Sequence, residues 1–278
     1  MRNYEPQQIR NVALISHRGA GKTTLAEAML LASGAIEKMG TVEGGNTVCD
    51  FDVVEATRGI SVFTSLCYAE RNGTKINLLD TPGYADFAPN VIVALQVVEG
   101  AVLVVDGVGG VEVQTEAAWE YAARRGLPCL IFVNKLDKEN ASFARALESI
   151  AANLTNKAVP LVLPWGEQAS LRGVVDALAG KAYGREGKAE TQLPSPQEME
   201  GAAGSARERL VEAAAEAIDE LTEKYLEQGD LSFEEIMQGL REGVCQRAIF
   251  PVLAGAATAG VGIASLLDAI PLLLPAPT

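Results

Sequence analysis

The stretch SHRGAGKTT (16–24) restricts the fold of this chain more than any other part of the sequence. An apolar run of strand length, NVALIS (11–16), precedes it, and a segment of helix length, TTLAEAMLLASG (23–34), follows and ends at Gly34. Except that Ser16 replaces the first glycine, the stretch matches Gly-x-x-x-x-Gly-Lys-Thr, a loop that binds phosphate groups where it connects a strand to a helix. We therefore predict an α/β fold with a nucleotide phosphate site, and a plain glycine-rich turn is the alternative.

Each residue type in this loop has a physical reason for its place. Gly19 and Gly21 let backbone N–H groups turn toward phosphate oxygens, and the start of the following helix adds positive partial charge. Lys22 supplies a charge at the β- and γ-phosphates, and the Thr23 hydroxyl can bind Mg²⁺. The predicted phosphate-binding residues are Ser16, His17, Arg18, Gly19, Ala20, Gly21, Lys22, Thr23 and Thr24.

The composition indicates a folded protein of a reducing compartment. Of the 278 residues 48% are hydrophobic, which suffices for a packed core. The formal charge of −13 repels nucleic acid at long range, so we expect no direct nucleic-acid binding by this chain alone. The four cysteines form no Cys-x-x-Cys pair, and no apolar run is long enough to span a membrane. We expect a cytoplasmic monomer without a membrane span.

Apolar runs and amphipathic segments alternate along most of the chain. Further strands are predicted at SVFTSLCYAE (61–70), TKINLLD (74–80), AVLVVD (101–106), LPCLIFVN (127–134) and AIFPVLAG (248–255). Asn72-Gly73 predicts a hairpin turn, and helices are expected at 111–126 and 139–154. This alternation indicates a mainly parallel sheet with helices on both faces. Residues 35–64 lack clear periodicity, and we expect a functional or mobile loop there.

One segment interrupts this alternation. We predict a core formed by 1–159 and 248–278, with an inserted α+β subdomain at 160–247. Residues 184–205 are polar and rich in glycine and proline, which favours a loop or a connection. Two helices are expected to follow, opened by capping boxes that pair Ser205 with Glu208 and Ser232 with Glu235. The first helix is expected to bury one stripe, formed by Leu210, Ala214, Ala217, Leu221 and Tyr225.

Two further motifs each follow a predicted buried strand. In LLDTPGYAD (78–86), Asp80 ends the strand, where a carboxylate can hold a water bound to Mg²⁺; taken singly, an Asp at a strand end is more often a helix N-cap. In NKLD (134–137), Asp137 can accept hydrogen bonds from N1–H and the exocyclic amine of guanine, which adenine cannot supply in that arrangement. Asn134 would hold the base and join the loops, and the Lys135 stem would cover the ring. Three motifs in this order, each after a strand, predict GTP binding.

With these motifs, the chain resembles the translational GTPases, and most closely the GTP-binding domain of elongation factor G and its paralogues. The similar stretches are RGIS (58–61), GYADF (83–87), VVDGVGGVEVQTE (104–116) and FVNKLDKENASF (132–143). Segments 163–183 and 220–236 are similar to the extra subdomain of elongation factor G, and LLDAIPLLLPAPT (266–278) to the end of its GTP-binding domain. The resemblance implies a P-loop GTPase fold, Mg²⁺ with GTP or GDP, and part of a longer, ribosome-associated factor.

The resemblance also assigns roles outside the phosphate loop. The family's Mg²⁺-binding switch threonine is Ser61 here, so the implied metal ligands are Thr23, Ser61 and Asp80. The family's Gly-Ser-Ala guanine box appears here as Gly255, Ala256 and Ala257. The serine hydroxyl is absent, but the N–H of Ala257 can still reach guanine O6.

Two departures lie in the phosphate loop itself. Arg18 and Gly19 replace an aliphatic residue and an aspartate of the family. The aspartate is implicated in holding a structural monovalent cation, so the resemblance does not extend to that cation. The only histidine, His17, matches a phosphate-loop position, and a structural role is expected for it.

The departure of greatest consequence is Tyr84, which stands where the family has a histidine after Asp-Thr-Pro-Gly. The implied catalytic residues are Lys22, Asp80, Gly83 and Tyr84, with the N–H of Gly83 toward the γ-phosphate. A phenol can orient water but is neutral near pH 7, so hydrolysis is expected to be ~10- to 1,000-fold slower. Arg18 either supplies the missing positive charge or extends into solvent.

These observations favour a GTP-binding and GTP-hydrolysing domain of a ribosome-associated translation factor, with slow hydrolysis in isolation. One alternative is a GTP-dependent switch with little hydrolysis, in which loops near 38–64 and 80–90 respond to the nucleotide. A third hypothesis is another P-loop NTPase such as an ATPase, which the NKLD motif disfavours.

Overall fold

The structure, a computed structural model, describes residues 3–166, 168–186 and 189–277. Its strands are β1 (Ile9–Ile15), β2 (Ser65–Arg71), β3 (Thr74–Asp80), β4 (Gly100–Asp106), β5 (Cys129–Asn134), β6 (Ala158–Trp165), β7 (Gly173–Asp176), β8 (Lys181–Glu186), β9 (Ala189–Leu193) and β10 (Phe250–Ala254). Its α-helices are α1 (Lys22–Ala32), α2 (Val53–Arg58), α3 (Ala88–Ala94), α4 (Val113–Arg124), α5 (Phe143–Asn153), α6 (Glu200–Glu216), α7 (Asp219–Gln228), α8 (Phe233–Cys245) and α9 (Ile263–Leu273). None of these helices is long and apolar enough to cross a membrane.

One sheet contains all these strands, in the order β2-β3-β1-β4-β5-β10-β6-β7-β8-β9. The six central strands in this order, β3, β1, β4, β5, β10 and β6, run parallel to one another. At one end of the sheet β2 pairs antiparallel with β3, and at the other end β7, β8 and β9 continue from β6 in antiparallel pairs. The predicted α/β fold with a mainly parallel sheet is therefore confirmed. Asp106 is the register partner of Asn134, and Asp80 that of Leu14, so the three predicted motifs meet at one edge of the sheet.

The core lies where the central strands are buried on both faces. Every residue of β4, β5 and β10 is buried, as their continuous apolar runs predict. The helix α4 packs against β1 and β4, whereas α1 and α9 pack against each other and β3. The edge of the Trp119 ring meets Phe250, with ring centroids 4.6 Å apart. This packing holds the strand ends, and the loops that follow them, in fixed positions.

The hairpin at Asn72-Gly73 forms as predicted. Both residues have positive φ, 49° and 79°, and β2 pairs with β3 in antiparallel register. However, β2 begins at Ser65 rather than at residue 61. The buried carboxylate of Glu55 accepts hydrogen bonds from the N–H groups of Val62 and Phe63, which removes these two donors from strand pairing.

Part of the aperiodic segment 35–64 is helical. The short helix α2 begins after Asp52, whose side chain accepts from the N–H of Val54, and ends at Gly59 with a φ of 61°. Six residues make fewer than two turns, so the helix leaves no hydrophobic period in the sequence.

The predicted loop over 184–205 is wrong for most of its length. Strands β8 and β9 pair across it, and α6 begins at Glu200; Gly187 and Lys188 lie outside the described residues. Ser205 therefore lies inside α6, where no capping box with Glu208 can open the helix. The second predicted box is correct, because Ser232 and Glu235 open α8.

The predicted apolar stripe is divided between two helices. Leu210 and Ala214 are buried on α6 and Leu221 on α7, but Ile218 between them has an extended backbone. The elements β7 to β9 and α6 to α8 all come between the parallel neighbours β6 and β10 in the chain. The subdomain boundaries at 159/160 and 247/248 remain predictions.

Candidate nucleotide site

A cavity of ≈ 420 Å³ opens at the carboxyl edge of the parallel strands, where all the predicted motifs meet. It is lined by Arg18, Gly19, Gly21, Lys22, Thr23, Thr24, Val42, Glu43, Gly59, Ile60, Ser61, Gly83, Tyr84, Asn134, Lys135, Lys138, Ala257 and Thr258. The predicted residues that do not line it are Ser16, His17, Ala20, Asp80, Asp137, Gly255 and Ala256. Several of these form hydrogen bonds with a residue that does line the cavity, as described below.

The phosphate loop requires its glycines for two separate reasons. Gly19 and Gly21 have φ values of 87° and 92°, a left-handed backbone that other residues rarely adopt. A Cβ atom at Gly21 would also lie 2.5 Å from the Asn134 amide nitrogen. Gly83 packs against the same loop, because a Cβ there would lie 2.6 Å from both the backbone nitrogen of Arg18 and Lys22 Nζ. The Asp-Thr-Pro-Gly backbone at Gly83 therefore packs directly on the phosphate loop, at a distance that leaves no room for a side chain.

Lys22 is fully enclosed by this loop. Its ammonium group donates hydrogen bonds to the carbonyl oxygens of His17, at 2.9 Å, and Ser16, at 3.3 Å. Burial lowers the pKa of Lys22 to about 8, and the nearby Asp80 carboxylate opposes this shift. A phosphate group would stabilise the ammonium form at the same position.

Hydroxyl and carboxylate oxygens converge beside Lys22. Thr23 Oγ1 donates to Asp80 Oδ2 at 2.6 Å and lies 3.2 Å from Ser61 Oγ. Ser61 in turn donates to Asp50 Oδ1 at 2.8 Å. The structure therefore brings the three predicted metal ligands together and adds Asp50 as the support of Ser61.

This set of donors suits Mg²⁺. Asp80 Oδ1 is buried and has no hydrogen-bond partner among the described residues, although such atoms are rarely left unpaired. Burial raises the pKa of Asp80 to about 7, against the opposing effects of the Thr23 hydrogen bond and Lys22. Hard oxygen donors, few in number, fit a cation that keeps several waters and binds phosphate oxygens as well. No group of three or more His, Cys, Asp or Glu in the described part of the chain forms a metal site by itself.

Asn134 connects the loops at the other part of the cavity. Its amide nitrogen donates to the carbonyl of Ala20 at 3.0 Å, and its Oδ1 accepts from the N–H of Ala257 at 2.9 Å. The N–H of Leu136 donates to the carbonyl of Gly255 at 3.2 Å. One buried side chain thereby links the phosphate loop to the loop after β10, as its predicted role requires.

Asp137 does not line the cavity itself, but it contacts two residues that do, Thr258 and Lys138. Its Oδ2 accepts from Thr258 Oγ1 at 3.3 Å and forms an ion pair with Lys138 at 3.2 Å. Its Oδ1 is buried and has no partner in the described ranges. An unpaired acceptor of this kind is what a base with adjacent N–H donors would satisfy.

Lys135 is held in place at the cavity wall. It has a left-handed backbone with a φ of 64°, and its Nζ lies 2.7 Å from Asp106 Oδ2. Burial opposes ionisation of Asp106, but the bond from Lys135 and those from the N–H groups of Val108 and Gly109 prevail and lower the pKa of that carboxyl. The lysine stem is thus fixed by an ion pair that the sequence analysis did not predict.

His17 turns away from the cavity. Its Nδ1 lies 2.7 Å from Thr115 Oγ1, and its Nε2 lies 3.1 Å from Glu112 Oε1 on the segment that opens α4. Burial lowers the pKa of His17, with Glu112 opposing, so the neutral ring fits best with Nε2–H donating to Glu112. The expected structural role agrees with these contacts, and only the backbone of His17 faces Lys22.

The residues that sequence reasoning missed are those whose roles depend on folding. Thr258 directly follows the guanine box and Asp106 ends a buried strand, so both had a local signal. Asp50, Val42 and Glu43 lie in the segment 38–64 that was expected to respond to the nucleotide, but no local pattern singled out these three residues.

The whole fold has a counterpart of known structure. A crystal structure of a protein from Thermus thermophilus matches 98% of this chain with a TM-score of 0.92 and 35% sequence identity. The match covers 41% of that protein, so this chain spans about two fifths of its length. Residues 7–276 also match the family described as the elongation factor Tu GTP binding domain.

Proposed function

Because this chain belongs to the family of elongation factor Tu GTP-binding domains, we propose that it binds and slowly hydrolyses GTP as part of a ribosome-associated factor of the elongation factor G type. The family itself is that of the translational GTPases, which use GTP or GDP with Mg²⁺. The proposal extends this to the residues of this chain, to the reaction at Tyr84, and to a cytoplasmic monomeric factor.

One observation supports the proposal most strongly. Two buried carboxylate oxygens, Asp80 Oδ1 and Asp137 Oδ1, lack partners among the described residues, and both belong to residues that hydrogen-bond to the lining of one cavity. The first lies with Thr23 and Ser61, at the metal-binding end, and the second lies beside Thr258 and Lys138, at the base-binding end. A guanine nucleotide with Mg²⁺ would satisfy both oxygens at once.

Binding would use the loops as follows. Backbone N–H groups of the loop between β1 and α1 hold the phosphates, and Lys22 exchanges its carbonyl partners for phosphate oxygens. Asp137 accepts from N1–H and the exocyclic amine of guanine, and the N–H of Ala257 would exchange its bond to Asn134 Oδ1 for one to O6. Thr23, Ser61 and Asp80 are the residues that would hold Mg²⁺, which would supply positive charge beside the phosphates.

Hydrolysis would depend on positioning and on charge. Tyr84 lines the cavity next to Gly83, where its hydroxyl can orient the attacking water toward the γ-phosphate. The Gly83 N–H and Lys22 stabilise the charge that develops on the phosphoryl oxygens. Because the phenol brings no positive charge, we expect hydrolysis ~10- to 1,000-fold slower than with a histidine at this position.

A second function is favoured by the hydrogen bonds of segment 35–64. The buried carboxylate of Glu27 on α1 accepts from the N–H groups of Gly40 and Val48, and Ser61 bonds to Asp50. These bonds dock the segment beside the phosphate loop, where nucleotide and metal would compete for its partners. The chain would then act as a GTP-dependent switch with negligible hydrolysis.

Two measurements test these proposals. GDP with Mg²⁺ should raise the melting temperature of the chain, whereas ADP should not. An equal rise with ADP would contradict guanine recognition and support an ATPase. Single-turnover hydrolysis of GTP, with and without ribosomes, then separates the two functions. Turnover that ribosomes accelerate supports the GTPase, and bound GTP that persists under both conditions supports the switch.

A further inference from the structure

A glutamate of the predicted insertion holds the start of the last helix. Glu190 lies on β9, and its two carboxylate oxygens accept hydrogen bonds from the N–H groups of Gly262, at 2.7 Å, and Ala264, at 2.9 Å. Gly262 is the N-cap of α9, with a φ of 78°, and it has no side chain that could satisfy these donors. A carboxylate from a distant strand therefore acts as the capping group.

The helix start leads directly into the base-binding loop. Ala256 and Val261 exchange two backbone hydrogen bonds, at 2.9 and 3.1 Å, immediately before Gly262. A Cβ atom at Gly262 would lie 2.3 Å from the carbonyl oxygen of Ala254, so the backbone there has no free space. Ala257, the residue after Ala256, donates its backbone N–H to Asn134 Oδ1. A displacement of Gly262 would therefore also displace Ala257, because the Ala256–Val261 hydrogen bonds and the close packing at Gly262 connect them.

We propose that Glu190 is a positioning residue for guanine recognition: it holds the loop 255–261, and with it the Ala257 N–H, which donates to Asn134 Oδ1 in this structure and would donate to O6 of a bound guanine. The inference rests on the proposed nucleotide function and assigns the insertion a part in nucleotide retention. Glu190 acts through its hydrogen bonds to Gly262 and Ala264, and it does not contact the nucleotide. Burial raises the pKa of Glu190, consistent with a carboxylate enclosed against the helix end.

The test compares GDP with 6-thio-GDP, in which sulfur, a larger atom and a weaker hydrogen-bond acceptor, replaces O6. For Glu190→Gln we expect the dissociation rate of a fluorescent GDP to rise about 3- to 10-fold, because one of two charge-assisted bonds is lost. The preference for GDP over 6-thio-GDP should fall as well. Glu212→Gln, an exposed glutamate on α6, makes the same change of charge and should alter neither value.

A purely structural cap predicts a different result. Glu190→Gln would then lower the melting temperature while leaving the dissociation rate unchanged, or it would weaken GDP and 6-thio-GDP by the same factor. Either result overturns the inference. Glu190→Asp, which keeps the charge but shortens the reach, provides a second variant should the glutamine variant not fold. Failure of the unaltered chain to bind GDP would instead refute the proposed function.

Discussion

The guanidinium carbon of Arg18 lies 4.7 Å from the centre of the Tyr84 ring, so the phosphate loop and the tyrosine after Asp-Thr-Pro-Gly are in direct contact. Arg18 is exposed, as one of the two predicted alternatives requires, yet both residues also line the cavity. A cation over the face of an aromatic ring is attracted by its quadrupole and restricts its orientation. The pair places a positive charge beside the phenol of Tyr84.

Replacing the arginine should therefore slow hydrolysis. We expect Arg18→Ala to lower the single-turnover rate of GTP hydrolysis about 10-fold, since it removes both the charge and the restraint on the Tyr84 ring. The exposed Arg125 at the end of α4 is the matched control, and Arg125→Ala should leave the rate unchanged. An unchanged rate in Arg18→Ala would show that the arginine contributes only to the surface of the cavity.

Changing the tyrosine should alter hydrolysis and leave nucleotide affinity intact. We expect Tyr84→His to raise the single-turnover rate by ~10- to 1,000-fold, because an imidazole both orients water and can carry charge. Tyr84→Phe removes the hydroxyl and should lower the rate further. The Kd for GDP, measured by fluorescence, should stay within about threefold in both variants, since base and phosphate contacts are made elsewhere. A rate that is equal in all three proteins would contradict a catalytic role for the hydroxyl.

Asp137 should decide which purine is bound. We expect Asp137→Asn to weaken GDP by roughly 100-fold or more, because an amide cannot accept from both guanine donors. The same amide can donate to the oxygen at C2 of xanthine, so xanthosine diphosphate should gain affinity. Competition binding with both nucleotides checks the exchange, and the exposed Asp219→Asn on α7 should show neither effect. Loss of both nucleotides together would indicate a collapsed loop rather than altered recognition.

Thr23 should carry the metal dependence. We expect Thr23→Ala to raise the Mg²⁺ concentration needed for GDP retention about 10-fold, because the variant lacks a hydroxyl ligand and the partner of Asp80. Thr258→Ala changes a hydroxyl at the other end of the cavity, where it bonds to Asp137. That variant should weaken GDP without changing the Mg²⁺ requirement, as a titration of GDP release against Mg²⁺ would show.

Glu235 should make the helical part of the insertion sensitive to acid. The hydrogen bond from Lys224, with those from Ser232, lowers the pKa of Glu235 to about 2. The charged form is therefore favoured in the folded state, so its contribution to stability is complete above pH ~4.5 and is lost as the pH falls toward 2. We expect Glu235→Gln to lower the melting temperature at pH 7, by an amount that shrinks between pH 5 and 2.

The neighbouring Glu234 is the control for this prediction. It lies in the same first turn of α8 and shares the helix dipole, but it is exposed and makes none of the Glu235 bonds. Glu234→Gln should change the melting temperature less, and with little dependence on pH in this range. A pH-independent difference for Glu235→Gln would mean that the bond from Lys224 contributes nothing.

The sequence by itself determined the strand segments of a mainly parallel core and the chemistry of the loops that follow them. Buried strands leave continuous apolar runs, and the phosphate loop requires glycine, lysine and threonine at set spacing, so both are readable one residue after another. Asp80, Asn134 and Asp137 could be predicted in the same way, because each lies at or just after the end of a strand, and these ends must lie at one edge of a parallel sheet. The family resemblance added Ser61 and the significance of Tyr84.

Only the tertiary structure decided the contacts made by polar side chains, which show no hydrophobic periodicity in the sequence. Three contacts show this: the support of Ser61 by Asp50, the ion pair of Lys135 with Asp106 and the cap of α9 by Glu190 join residues 11, 29 and 72 positions apart. Polar side chains of this kind have no local pattern, because a carboxylate can satisfy N–H groups of any segment that folding brings near. Strands β8 and β9 were mistaken for a loop because their polar sequence has no strand pattern of its own. Their pairing partners, rather than their own composition, make them strands.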